Sequence, residues 1–225
     1  MIDRFARHFA FDKIGVTGQR KIHESKIAVV GVGATGSLSA EFLVRAGVGS
    51  ILLIDSDVVD ASNLHRQSLY SEVDIGKSKV GSAKSLLSKI NSEVDVQTAS
   101  VFLSEDNLEL LKGFDLILDC SDNMMTRRLI NSASNKFSIP WIFCGASKSS
   151  GNVLFVSDSV VFDKFFDKAG SFDDCEQFGV ISPAIGFASS IQVSLALQFI
   201  VNRNVSKKLF RFDVWDFSFD FIDID

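Results

Sequence analysis

IAVVGVGATGSL, residues Ile27 to Leu38, carries an apolar run into Gly31, Gly33 and Gly36 and leaves in a pattern of helical spacing. Glycines at G-x-G-x-x-G spacing between a strand and a helix make a tight turn. It brings a phosphate against the helix N-terminus, where unpaired N–H groups and the helix dipole favour negative charge. Outward from this turn the chain alternates. "KIAVVGV" reads as a buried strand, "ATGSLSAEFLVRAG" as a helix ended by Gly47 as C-cap, and "ILLID" as the second strand. Ser78 to Asn91 read as a helix with Val80, Ala83, Leu86, Leu87 and Ile90 on its apolar face. "VDVQTASVF" is the third strand and "DLILDC" the fourth; a helix over Asp122 to Phe137 leads to the strands "WIFCGA" and "NVLFVS". The pattern predicts a Rossmann-like α/β fold, a mainly parallel sheet with helices on both faces.

The ends extend this core into a single domain over 1–225. Residues 1–25 predict an N-terminal helical segment, one or two helices with a Gly-containing break at "DKIGVTGQ". Residues 26–156 form the nucleotide-binding core. The stretch 157–180, rich in Asp, Phe and Ser without periodicity, predicts a flexible crossover-type loop. Over 181–225 a helix from Ala184 to Asn202 precedes "LFRFDVWDFSFDFIDID", whose alternation predicts a C-terminal antiparallel β appendage at a sheet edge.

Composition bounds the function. A chain of 225 residues, 46% hydrophobic, can bury one substantial core. Its net charge of -5, with no basic tract longer than a pair, argues against nucleic acid as a partner. Cys120, Cys144 and Cys175 are odd in number and unpatterned, which fits a reducing, cytoplasmic setting. No uninterrupted apolar run reaches the ~18 residues of a membrane span, and Asp3, Arg4, Arg7, Asp12 and Lys13 break up any signal-peptide core. No membrane association is expected.

The glycine turn alone leaves its nucleotide open. Asp55 closes the second strand, where a carboxylate takes ribose hydroxyls. The loop "DSDVVDASNLHRQS" then adds Asp57, Asp60, Asn63 and Arg66, and Lys79 opens the next helix. A dinucleotide pyrophosphate is served by backbone amides and needs no such cations. A triphosphate reacting at its α-phosphorus does need them while pyrophosphate leaves. Taken singly, Arg66 and Lys79 also read as a solvated loop and helix face. Asp122, at the C-terminal end of the fourth strand, suits either Mg²⁺ against phosphate oxygens or the N-cap of the following helix. His65 reads as a loop residue, and Cys120 and Cys144 as core residues.

Taken together these segments resemble the ThiF/MoeB/HesA family, the adenylyltransferases related to ubiquitin-activating (E1-like) enzymes. "RFARH" is similar to the family's opening R-Y-x-R-Q, and "GVTGQRKI" to its G-x-x-G-Q-x-x-L. "VVGVGATGS", "AGVGSILLIDSDVVDASNLHRQSLYSEVDIGKSKV", "LDCSDNMMTR" and "CEQFGVISPAIG" match its further motifs in order, over nearly the whole chain. The resemblance implies ATP-dependent adenylation of the C-terminal carboxylate of a ubiquitin-like sulfur-carrier protein ending in Gly-Gly, toward thiamine, molybdopterin or tRNA thiolation. It implies that Gly31, Gly33, Ala34 and Gly36 form the nucleotide loop, with Asp55 on the ribose. It further puts Asp57 in the site, Asn63, Arg66 and Lys79 at the phosphates, and Asp122 at Mg²⁺. Arg7 matches an arginine that reaches into a partner subunit's site, so a homodimer is implied.

Departures from the pattern are informative. The family's paired C-x-x-C motifs are missing, and a tetrahedral site needs four ligands, so no zinc is expected. Phe162, Phe165 and Phe166 stand in that region as candidates for apolar packing in its place. Ala34 replaces a glycine and His8 a glutamine, and alanine is small enough for the loop to survive. Cys175 aligns with a cysteine that some relatives bond to the carrier, but Asp173, Asp174 and Glu176 around it disfavour a thiolate. It reads equally as an ordinary loop cysteine. Competing functions are adenylation of a peptide C-terminus or a tRNA base, a non-catalytic partner subunit, and an NAD-dependent oxidoreductase. The last leaves the charged loop without a purpose.

Overall fold

The computed structural model describes residues 4–157, 161, 162, 165 and 179–223. Helices α1 (Ala6–Phe9) and α2 (Gly15–Glu24) lead into β1 (Lys26–Val30), α3 (Ala34–Ala46), β2 (Ser50–Ile54), α4 (Lys79–Ile90) and β3 (Asp95–Ala99). Then follow a 3₁₀ segment (Glu105–Leu111), β4 (Leu116–Asp119), α5 (Met124–Phe137), β5 (Trp141–Ser147) and β6 (Ser150–Val156). A long helix, α6 (Ser182–Asn202), precedes β7 (Leu209–Asp213) and β8 (Ser218–Ile222).

Among the described residues the strands form one eight-stranded sheet in the order β3-β2-β1-β4-β5-β6-β7-β8. The first five are parallel, and β6, β7 and β8 continue it antiparallel. Every residue of β2 and β4 is buried, as expected where helices cover both faces. Alternate side chains build two cores. Ile27, Val29, Ile51, Leu53, Leu116 and Leu118 meet α3, α4 and α6. Ala28, Val30, Leu52, Ile54 and Ile117 meet α5, the 3₁₀ segment and Trp141 with Phe143. Phe162 packs on Trp141 and Phe165 on Phe143, ring centroids 5.6 and 5.5 Å apart, so these two phenylalanines do supply apolar packing. Phe166 and most of the crossover-type loop lie outside the described residues.

Three expectations need correction. The N-terminal break falls at residues 10–14 instead of at the glycines. Gly15 opens α2, and Gly18 sits inside it because a Cβ there would press on Val201 of α6 at 3.1 Å. The third strand ends at Ala99, so Val101 and Phe102 belong to a loop. Finally, α6 carries no charge and is by length and composition apolar enough to cross a bilayer. Counting uninterrupted apolar residues overlooked it because serines and Gln192 interrupt the run. Here the helix packs on α3, β5, β6 and α2.

Gln192 explains how that helix is fixed. Fully buried, it donates through Nε2 to the carbonyls of Asp119 (2.9 Å) and Ile142 (3.1 Å). Its Oε1 accepts from Ser39 (2.7 Å) and from the Cys120 thiol (3.4 Å). One satisfied carboxamide thus ties α6 to α3, to the C-terminal end of β4 and to the start of β5.

Candidate active site

The strand order reverses between β1 and β4, with β2 and β3 on one side and β5 on the other. Open α/β sheets bind ligands outside the carboxyl ends of their strands at such a point. A cleft of about 780 Å³ lies there, lined by the ends of β1 and β2, by the segments that follow β1, β2, β3 and β4, and by Cys144, Gly145 and Ala146 of β5.

Its floor is the glycine turn. Gly31 has φ +87° and donates to the Ile54 carbonyl at 2.8 Å, and a Cβ on it would lie 2.6 Å from the Cys120 carbonyl oxygen. A Cβ on Gly36 would run into the Gly31 carbonyl, so this glycine lets α3 sit directly on the turn and does not itself line the cleft. Gly33 is the N-cap of α3 and brings no capping side chain, which leaves the first amides of a 13-residue helix without a side-chain cap. Ala34 already belongs to that helix, which is why alanine is accommodated. Buried Tyr70 braces the turn by donating to the Val32 carbonyl at 2.7 Å. Burial, with Asp55, Asp57 and Asp74 nearby, raises its phenol well above the usual range, so the hydroxyl stays a donor.

Charged groups gather around this floor. Asp55 accepts the amides of Val32 (2.7 Å) and Asp57 (2.8 Å), which locks its carboxylate beside the turn. Lys79 is 7% exposed and pairs at 2.9 Å with Asp57, whose side chain is half-open to solvent. Asp60 caps a short 3₁₀ turn, accepting from the Ser62 amide at 2.8 Å, and Asn63 reciprocates on the Asp60 amide at 3.2 Å. That turn sets Arg66 at the cleft. Its guanidinium donates to the Ser62 carbonyl (2.8 Å) and lies 2.7 Å from His65 Nε2. Among the described residues Arg66 has no carboxylate partner.

The β4–α5 turn forms the far wall. Asn123, not Asp122, caps α5 by accepting from the Thr126 amide at 2.9 Å. Among the described residues the exposed Asp122 carboxylate receives only the Asn123 amide group, at 3.1 Å. Behind the wall, buried Asp119 pairs with buried Arg127 at 3.3 Å and accepts from the Ser121 amide (3.0 Å) and hydroxyl (2.5 Å). Burial pushes the Asp119 carboxyl upward against the pull of Arg127 and Ser121. Arg127 also donates to the Ser121 carbonyl at 3.0 Å and lies 5.0 Å from the Phe143 ring centroid. The pair therefore fixes the backbone that presents Asp122.

Of the expected site residues, Gly31, Gly33, Ala34, Asp55, Asp57, Asn63, Arg66, Lys79 and Asp122 line this one cleft. Arg7, on exposed α1, does not line it. Cys175 lies outside the described residues. Cys120 and Cys144 are buried, as expected, though both also border the cleft. Burial and Asp119 push the Cys120 thiol up to about 12, and Cys144 is likewise raised, so neither is a ready thiolate. Sequence reasoning left out Gln67, Phe102, Asn123, Thr126 and Arg127 as site residues, and set His65 aside as a loop residue. The run "SDNMMTRR" held a signal for Asn123 and Arg127. Phe102 was hidden by its reading as strand.

The ThiF family model matches residues 5–225. The sulfur carrier protein ThiS adenylyltransferase of Bacillus subtilis is 36% identical over 96% of this chain and 66% of its own length. The molybdopterin-synthase adenylyltransferase of Haemophilus influenzae is 30% identical over 93% of this chain and 89% of that protein. Among solved structures, PaaA superposes with a TM-score of 0.83 at 27% identity, covering 99% of this chain and 73% of PaaA. The chain thus spans about two thirds of the Bacillus protein and most of the Haemophilus one.

Proposed function

This chain belongs to the ThiF family, and from that premise we propose that it adenylates the C-terminal glycine carboxylate of a ubiquitin-like sulfur carrier with ATP. The observation that carries the reading is the meeting of the bare α3 N-terminus, Asp55, Arg66 and Lys79 in one cleft at the sheet's reversal point. In this reading Asp55 takes the ribose hydroxyls, and the α3 amides receive phosphate oxygens. The carrier carboxylate is already ionised at neutral pH, so no general base is required. One of its oxygens bonds to the α-phosphorus while the bond from that phosphorus to the bridging oxygen breaks. Pyrophosphate leaves, and an acyl-adenylate remains.

Charge on the departing pyrophosphate is met by Arg66 and Lys79. Arg66 reaches it from a loop already shaped by the Asp60–Asn63 turn, and Lys79 is held toward the cleft by Asp57. Asp122 suits a Mg²⁺ ligand because its carboxylate is exposed and Asn123 has taken over the helix cap. When bound there, Mg²⁺ supplies further neutralisation of phosphate charge. Arg7 completes the site from a second copy of the chain. Its exposure on α1, away from its own cleft, supports that arrangement.

Carrier-dependent ATP–pyrophosphate exchange tests the reading. Wild-type protein should exchange only with a carrier ending in Gly-Gly, and Arg66→Ala should lose roughly 10²- to 10³-fold, the scale for one charge-stabilising donor. ATP binding without exchange for any Gly-Gly carrier would count against adenylation of that class of carboxylate.

A further inference from the structure

Phe102 is not needed by the core and is not explained by the phosphate chemistry. Its side chain is 77% exposed, yet it lines the cleft beside Val101, which is 38% exposed. Its backbone is nevertheless held. Asn107 donates from Nδ2 to the Phe102 carbonyl at 2.8 Å and accepts at Oδ1 from the Ser104 amide at 2.8 Å. The next residue, Leu103, is 6% exposed and anchored with Leu108 and Leu111 in the core. The bonded Phe102 carbonyl and the anchored Leu103 that follows it hold the backbone while the aromatic ring stays exposed at the cleft.

The position along the sheet says what the ring can meet. Asp55 donates its backbone amide to the Ala99 carbonyl at 3.2 Å, so the ends of β2 and β3 are locked side by side. Phe102 follows Ala99 in the loop that leaves β3. A nucleotide whose ribose rests on Asp55 and whose phosphates lie at the glycine turn has its base beyond the ribose, away from the phosphates. The adenylation reading gives Arg66, Lys79 and Asn63 to the phosphates, and among the described residues the Val101–Phe102 pair is the cleft's solvent-exposed apolar element. A flat heteroaromatic base gains by stacking on such a ring, and the larger purine gains more than a pyrimidine.

Resting on the adenylation reading, we infer that Phe102 is the stacking platform for the nucleobase and sets a preference for purine over pyrimidine triphosphates. It is a specificity residue; the phosphate chemistry does not pass through it. Because the ring is exposed, its removal leaves the fold intact.

Equilibrium binding of ATP, CTP and inorganic tripolyphosphate to wild type, Phe102→Ala and Phe102→Trp tests this. Phe102→Ala should weaken ATP by roughly tenfold or more, the range measured for base–aromatic stacks. It should narrow the gap between ATP and CTP and leave tripolyphosphate unchanged, while Phe102→Trp restores ATP. Unchanged ATP affinity in Phe102→Ala would overturn the inference, as would a loss confined to the carrier's KM, which would assign the ring to the protein substrate. Equal losses for ATP and tripolyphosphate would also overturn it. Wild-type protein that binds tripolyphosphate but no nucleotide would instead overturn the adenylation reading, and this inference with it.

Discussion

Arg66 and Lys79 differ in how they are held, and that difference has consequences. Among the described residues Arg66 bonds to the Ser62 carbonyl and meets His65, and it pairs with no carboxylate. Lys79 is already paired with Asp57. Asp57→Asn should therefore leave Lys79 buried with a weaker partner and lower the exchange rate less than Lys79→Ala does, a comparison steady-state kinetics can make. At Gly36 the constraint is steric. Gly36→Ala puts a methyl on the Gly31 carbonyl, and forcing α3 off the turn should destabilise the fold by about 1–3 kcal/mol, read by thermal or urea denaturation. That Asp57, Arg66 and Lys79 gather beyond the end of β2 was legible from their types and order. Asn123 as the cap of α5 was not legible, because Asp122 is an equally good capping residue by propensity. Only the three-dimensional turn decides between them.

Between elements, two polar links hold pieces whose sequences say little about where they go. Gln192 joins α6 to β4, β5 and α3, and Gln192→Leu would leave the Asp119 and Ile142 carbonyls and Ser39 without their partner. Burying such groups unpaired costs about 1–3 kcal/mol each, so this variant should be among the most destabilising in the helix. The second link is Asp213 at the end of β7. It accepts from Ser149 at 3.0 Å, from Ser150, and from the amides of Trp215 and Asp216 at 2.8 and 3.1 Å, which hold its carboxyl down to about 2. A depressed carboxyl stabilises the fold above its ordinary pKa and loses that contribution as pH falls. The β7–β8 hairpin should thus loosen between about pH 4 and 2, seen as faster amide exchange there, and Asp213→Asn should remove that pH dependence. Strand and helix identities were readable from period and length. The Gln192 link was not, since one glutamine in an apolar helix carries no sign of the four partners it finds.

For the whole molecule, the parallel core and its antiparallel extension follow from chain order. Strands separated by helices run parallel, and the β5–β6 and β7–β8 connections are too short for anything but hairpins. The sheet's reversal point then puts the glycine turn and the Asp122 turn on one cleft, although they are distant in sequence. Motif order alone could not show that meeting. Nor could it show Arg7 apart from the cleft, and the homodimer reading makes this separation a prediction. Mixing inactive Arg7→Ala and Asp122→Ala proteins should restore about a quarter of wild-type exchange, because half the dimers are mixed and each has one intact site. No recovery after subunit exchange would place Arg7 outside the catalytic machinery. The most direct test of the central claim is intact-mass spectrometry of a Gly-Gly-ended carrier after incubation with ATP and this protein. The account predicts an adenylate adduct on the carrier's C-terminus, formed by wild type and lost in Arg66→Ala and when the terminal glycine is removed. ATP bound and no adduct on any such carrier, or an adduct that persists without the terminal glycine, would contradict it.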